Sequence, residues 1–279
     1  MFGSPGRVVT PYRVARRRAP VYHSAMADDS RAPRLHVAAP LAPGAGADLT
    51  PEQVNYLGNV LRLGARARVI AFNGRDGEFD AEIAALSRKK LALVVTAQTR
   101  AAEAPPDVDL LFAPIKHARL DYLAQKAVAM GAGRLRPVAT RRTQVARLNL
   151  ERLEANAVEA SEQCGAVWVP AVLPLEPLDK ALAAWPADRL LVFCDEDAPP
   201  GGPIAALAQA PAHAGVGVLI GPEGGFDDGE RAAILRVPGV VRLSLGPRVL
   251  RADTAAVAAL ALVQAALGDW RGREPREPR

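Results

Sequence analysis

Leu219-Ile-Gly-Pro-Glu-Gly-Gly-Phe226 is the stretch whose reading decides the fold, together with Leu243-Ser-Leu-Gly-Pro-Arg-Val-Leu-Arg-Ala-Asp-Thr254. Each begins as the end of an apolar strand, breaks at a Gly-Pro and re-enters a helical pattern. Glycine lets a backbone take positive φ and approach a ligand closely, so two such breaks in succession predict a binding site at the ends of two buried strands. Asp227, with Glu230 three positions on, predicts a capped helix after the first break. Asp253-Thr254 opens an Ala-rich helix after the second, running to Leu267 with Gly268 just past its end.

Working outward, apolar runs at Asp109–Ile115, Arg134–Ala139, Trp168–Val172, Leu190–Cys194, Val216–Ile220 and Val240–Leu245 read as strands. Helical patterns at Leu120–Met130, Asn149–Gln163 and Leu178–Trp185 stand between them. This alternation predicts an α/β domain with a parallel sheet covered on both faces. Ligands of such sheets sit beyond the C-terminal strand ends, which adds Asp195-Glu196-Asp197 to the two breaks.

Before the Pro-rich linker Ala101-Ala-Glu-Ala-Pro-Pro-Asp107 the pattern differs. A short strand is expected at Arg34–Ala38, then a helix opened by the capping box of Thr50 and Gln53, with Val54, Leu57, Val60 and Leu61 on one face. A meander follows at Ala67–Phe72, Glu78–Ala84 and Leu91–Thr99, turning at Asn73–Gly77 and Ser87–Lys90. Short strands that must bury one face predict a small β-barrel. The expected organisation is a disordered basic extension (1–32), a β-barrel domain (33–100), an α/β domain (107–268) and a charged tail (269–279).

Hydrophobic residues make up 49% of the 279 and charged residues 23%, as in ordinary globular chains. The net charge of +5 resides in Arg7, Arg13, Arg16, Arg17 and Arg18; without them 30 basic residues face 30 acidic ones. Any RNA contact must therefore come from local patches. The first segment has no apolar run between its arginines, so no secretory leader is expected; its Arg-rich, acid-free composition resembles a transit peptide, but it is read as a disordered extension or as the product of a start ahead of Met26. Cys164 and Cys194 form no disulfide framework and the four histidines are scattered, so no metal site is expected and a reducing cytoplasm fits. No apolar run is long enough for a membrane span.

The glycine loops lack the Gly-x-Gly-x-x-Gly spacing and no Gly-Lys-Ser/Thr follows them. They carry Glu223 where a polyphosphate site would carry cations. An uncharged or cationic nucleoside fits better, and S-adenosylmethionine is one.

Gly221-Pro-Glu-Gly-Gly225 with Leu245-Gly-Pro-Arg-Val-Leu-Arg251 closely resembles the RsmE family of bacterial 16S rRNA uridine N3-methyltransferases, in the SPOUT superfamily. Leu57-Gly-Asn-Val-Leu-Arg62, Phe72-Asn-Gly74, Gln125-Lys126 with Gly131, and Glu162-Gln-Cys-Gly165 match in the same order, over roughly residues 33–268. The resemblance implies a PUA-like N-terminal barrel, a SPOUT α/β domain with a C-terminal deep trefoil knot, bound S-adenosylmethionine and a homodimer. It also implies a cytoplasmic enzyme acting on the small ribosomal subunit at the uridine numbered 1498 in 16S rRNA. Two positions depart from the family: Asp253 stands where Glu is usual, and Ala166 where a basic residue is usual.

Leu219, Ile220, Gly221, Pro222, Gly224, Gly225, Glu196, Leu243, Leu245, Gly246 and Leu250 are then expected to hold the cofactor. Arg251, and secondarily Arg248, would stabilise the uracil oxygens, with Asp253 or Glu223 accepting the N3 proton. Asp253 could instead be only an N-cap, Glu223 a turn residue, and Glu162-Gln163 a helix end. RNA is expected on Arg62, Arg66 and Arg75 (with Arg68 and Arg88-Lys89-Lys90) and on Arg141 and Arg142 (with Arg134, Arg136 and Arg147). Two alternatives stand beside this reading: a SPOUT RNA methyltransferase with another target, and a non-catalytic RNA-binding assembly factor.

Overall fold

The computed structural model describes residues 32–87, 90–145, 147–198 and 202–271. The expected basic extension, the end of the charged tail, and Arg88 and Lys89 lie outside the described residues.

A first sheet contains β1 (Arg34–His36), β2 (Gly46–Asp48), β3 (Arg68–Phe72), β4 (Glu78–Ser87) and β5 (Lys90–Arg100), in the order β1-β3-β4-β5-β2. β3, β4 and β5 form the expected antiparallel meander, and β1 runs parallel to β3. β2 went unread because Gly-Ala-Asp has no alternation and no β-branched residue. Leu35, Val69, Ala71, Phe79, Ala81, Ile83, Leu93 and Val95 fill its core.

The turn between β3 and β4 is built on Asn73. Its Oδ1 accepts the amides of Arg75 (3.0 Å) and Asp76 (2.8 Å), and its Nδ2 donates to Ala39 O (3.0 Å). Gly77 has φ 101°, and any side chain there would run into Arg100 O, so only glycine closes the turn.

α1 (Pro51–Asn55) carries the expected capping box of Thr50 and Gln53. It then widens into a π-helical turn over Tyr56–Val60, where Leu61 N reaches Tyr56 O at 2.9 Å. The extra residue per turn breaks the expected apolar face: Leu57 is fully buried, whereas Val60 and Leu61 face outward.

The second sheet comprises β6 (Val108–Phe112), β7 (Arg134–Ala139), β8 (Ala171–Val172), β9 (Glu176–Pro177), β10 (Arg189–Cys194), β11 (Gly215–Ile220) and β12 (Val241–Leu243). It is parallel throughout, in the order β12-β10-β11-β6-β7-β8, with β9 against the end of β7. The helices are α2 (His117–Ala129), α3 (Leu150–Cys164), α4 (Leu178–Ala183), α5 (Pro203–Ala208), α6 (Asp228–Leu235) and α7 (Ala252–Ala266).

Both faces are covered. Val216, Val218 and Ile220 of β11 pack with Leu123 of α2 and Leu260 and Val263 of α7 in one core. Leu219 faces the other way, with Leu178 of α4, Trp185 and Ile234 of α6. Alternate residues of one strand thus feed two cores, which is why β11 is apolar without interruption. Of the expected strand Trp168–Val172 only its end pairs, since Trp168 is buried in the first core. Gln264, which interrupts the apolar run of α7, is wholly buried: its Nε2 donates to Met130 O (3.0 Å) and Gly131 O (3.2 Å) at the end of α2.

Candidate functional site

β10, β11 and β12 run parallel and side by side, so the loops that follow them leave the same edge of the sheet. Leu219, Ile220 and Leu243 are core side chains at the strand ends, so only their backbone is available to a ligand. The chain then turns through Pro222–Gly225, closed by Gly225 N to Pro222 O at 2.9 Å, with Gly225 at φ 69°. Phe226 folds back over Gly221, leaving no room for a side chain there, and meets Phe193 edge-on at 5.4 Å. Pro222 is buried, whereas Glu223 and Gly224 are exposed. Asp227 caps α6 with Glu230, as expected.

The loop after β10 is pinned by Asp195, which is buried and accepts from Arg231 (2.9 Å) and Arg242 (2.7 Å). This leaves Glu196 exposed, with Oε1 4.0 Å from where a side chain at Gly225 would begin. In the third loop Gly246 has φ 100° and open space before it: no heavy atom lies within 4 Å of a would-be Cβ. Leu245 and Leu250, half-buried against the first core, flank it. Their amides find no acceptor among the described residues.

Arg248 and Arg251 are exposed, and neither guanidinium has an ion-pair or hydrogen-bond partner among the described residues. Arg251 is the N-cap of α7 and makes no side-chain cap bond. Asp253 is therefore not the N-cap that one reading allowed; it lies in the first turn. Its Oδ1 accepts Thr254 N at 2.9 Å, and its second oxygen has no partner among the described residues. Glu223, by contrast, is held by Arg119 of α2 at 3.4 Å.

Arg119 was not singled out from the sequence. Lys116 and Arg119 open α2, the helix that follows β6, the strand beside β11, and that position was the available signal. Arg141 and Arg142 reach the first glycine loop: Arg141 Nε pairs with Asp227 (3.0 Å), and Arg142 Nη1 donates to Gly224 O (2.6 Å). Arg134 and Arg136, grouped with them by sequence, are instead spent on Asp109, which is 2% exposed, and on Asp107 and Glu176.

Between the π-helical turn and β3, Arg62 and Arg66 both take positive φ (55° and 67°), which is rare for side chains of this size. Arg66 is only 4.0 Å from Glu82, and Arg75 donates to Ala38 O at 3.0 Å. Arg68 pairs with Asp80. The side chain of Lys90 is outside the described residues. Ala166 is buried and packs in the first core. Burial, with the Asp195 carboxylate adding to it, pushes the Cys194 thiol up to about 12.

Residues 102–264 match the family described as RNA methyltransferase domain, and residues 49–96 the one described as RNA methyltransferase PUA domain. The chain belongs to the RNA methyltransferase domain family. It is 30% identical over 253 residues to ribosomal RNA small subunit methyltransferase E of Synechocystis, covering 89% of this chain and 82% of the relative. The enzyme of the same name from Rickettsia conorii is 28% identical, over 83% of this chain and 94% of the relative. Among solved structures, ribosomal RNA small subunit methyltransferase E of Neisseria gonorrhoeae bound to S-adenosyl methionine aligns with a TM-score of 0.73. It is 28% identical and is matched over 84% of this chain and 97% of that one. A putative methyltransferase from Legionella pneumophila in complex with the same cofactor aligns at 0.71, with 30% identity over 85% and 98%. The fold is thus a PUA domain followed by an α/β methyltransferase domain. Among the described residues no cluster of metal-ligating side chains occurs, and no helix is long and apolar enough to cross a membrane.

Proposed function

We propose that this chain is an S-adenosylmethionine-dependent methyltransferase acting on N3 of a uridine in 16S rRNA, at the position of the RsmE family. The observation that carries the reading is the pairing of the Gly221–Gly225 turn with Arg248 and Arg251, which have no partner among the described residues, on loops that leave the same edge of the sheet. The relatives named ribosomal RNA small subunit methyltransferase E support it.

The residues present fit the cofactor. Open space before Gly246, the half-buried Leu245 and Leu250 with free amides, and the Gly221–Gly225 turn suit an adenine and ribose. Leu219, Ile220 and Leu243 would contribute backbone, and Glu196 beside Gly225 a carboxylate. When bound, S-adenosylmethionine supplies a methyl group already activated on a positive sulfonium.

Uracil N3 is protonated at neutral pH and becomes a nucleophile only as that proton leaves. Arg251 and Arg248 stabilise the charge that develops on O2 and O4. Asp253, with its second oxygen free, takes the proton; Glu223, engaged by Arg119, is the secondary candidate. Arg62, Arg66 and Arg75, in the loops around β3, and Arg141 and Arg142 beside the site bind RNA phosphates. The remaining features are those of the RsmE family: a closed PUA-like barrel, a deep trefoil knot at the C-terminus, a homodimer and a cytoplasmic location.

Calorimetry with S-adenosylmethionine, followed by methylation of small-subunit rRNA in vitro, tests the proposal. Saturable cofactor binding and methyl incorporation into uridine are expected; methyl incorporation into another base, or none, contradicts it.

A further inference from the structure

The Glu162-Gln-Cys-Gly165 motif is not absorbed by the methyl-transfer site. It forms the C-terminal end of α3, where backbone carbonyls lack helical partners and the helix dipole presents negative charge. Guanidinia from the first sheet satisfy them. Arg34 of β1, 11% exposed, donates from Nη1 to Ser161 O (2.7 Å) and Glu162 O (2.9 Å), and from Nη2 to Ala166 O (2.9 Å). Its Nε and Nη2 also hold Glu78 of β4 (3.1 and 2.8 Å), and its plane lies 4.5 Å from the Phe72 ring centroid. Arg100 of β5 donates to Gly165 O (2.7 Å) and shares Glu78 at 3.6 Å.

Bonds also run the other way. Glu162 Oε1 accepts the His36 amide (2.8 Å), and Gln53 of α1 donates to His36 O (2.8 Å). A continuous set of hydrogen bonds therefore joins α3 to the helix that leads into exposed Tyr56 and Arg62. Close by, the Asn73 turn packs on the same segment, with Gly74 facing the Val169 amide.

We propose that Arg34, Glu78 and Arg100 form a latch that holds the first sheet in one orientation on the methyltransferase domain, so that Arg34 is a positioning residue for RNA. The inference rests on the proposed function: the two RNA-contacting surfaces bind as one only while their spacing is held. Arg34 is bonded to Glu78 and to the end of α3, apart from the loops of the proposed methyl-transfer site. A lysine cannot replace it, since one ammonium cannot span three carbonyls and a carboxylate in a fixed plane.

The test compares the full-length protein with Arg34→Met and with the milder Arg100→Met, which leaves Arg34 and Glu78 paired. For each, S-adenosylmethionine affinity, KM and kcat on small-subunit rRNA, and the small-angle scattering profile are measured. Arg34→Met is expected to raise KM for RNA on the order of tenfold, with a smaller rise in Arg100→Met. Cofactor affinity and kcat at saturating RNA should stay within about twofold, and the scattering profile should broaden. Unchanged KM in both variants, or an equal loss of cofactor affinity, overturns the latch. If the unmodified protein binds cofactor but methylates no RNA, the proposed function fails instead. The scattering comparison then decides the latch alone: broadening supports it, and an unchanged profile overturns it.

Discussion

Arg251 and Asp253 sit two residues apart at the start of α7, and their environments separate their roles. Among the described residues Arg251 has no partner to give up, so its guanidinium is available to charge on a substrate. Arg251→Ala is expected to lower the methylation rate by about 100-fold while cofactor affinity changes little; single-turnover assays with calorimetry check both. Asp253→Asn keeps the oxygen that accepts Thr254 N and removes the base, so it should slow turnover and leave folding intact. Cys194 lies at the end of β10, directly before the Asp195 loop. With that thiol pushed up to about 12, it stays protonated, and iodoacetamide at neutral pH should leave Cys194 unmodified in the folded protein. Peptide mass mapping reads this directly.

Elements carry their stability in a few buried polar residues. Gln264 ties α7 to the end of α2, and Gln264→Leu would leave the carbonyls of Met130 and Gly131 without that donor inside the core. A loss of about 1–3 kcal/mol in chemical denaturation is expected. The Asn73 turn gives a pH test. The Leu41 amide, and then the Asn73 side chain, hold the Asp76 carboxyl below its usual value of 3.8. A carboxylate depressed on folding adds stability above its unfolded pKa, and that stability is lost as pH falls through the folded value. Asp76→Ala should therefore be less stable than the unmodified protein at pH 7, and the gap should close in strong acid; thermal unfolding across that range measures it. At this scale the sequence spoke clearly where patterns were local. The capping boxes at Thr50 and Asp227, the Asn-Gly turn, and the apolar strands β10 and β11 were all legible. β2 was silent because three small or polar residues make no pattern. The outward turn of Val60 was hidden by a π-helical turn that no 3.6-residue period can reveal.

The whole molecule depends on residues far apart in the chain, and there sequence reading reached its limit. The glycine breaks at Gly221 and Gly246 mark one edge of the sheet, because Gly221 directly follows β11 and Gly246 comes shortly after β12. Arg119 beside Glu223, and Arg34 on the end of α3, come from residues 104 and 127 positions apart, and nothing in local periodicity joins them. Grouping by charge did not show that Arg134 and Arg136 both pair with Asp109, which is 2% exposed. For the exposed arginines that remain, RNA affinity should fall steeply with salt, by at least about tenfold between 50 and 200 mM. An Arg141→Ala, Arg142→Ala double variant should show a shallower dependence in filter binding. The central claim is most directly tested by mass spectrometry of small-subunit rRNA nucleosides from cells with and without the gene. Loss of N3-methyluridine on deletion, restored by the intact gene but not by Arg251→Ala, is the predicted result; unchanged N3-methyluridine contradicts it.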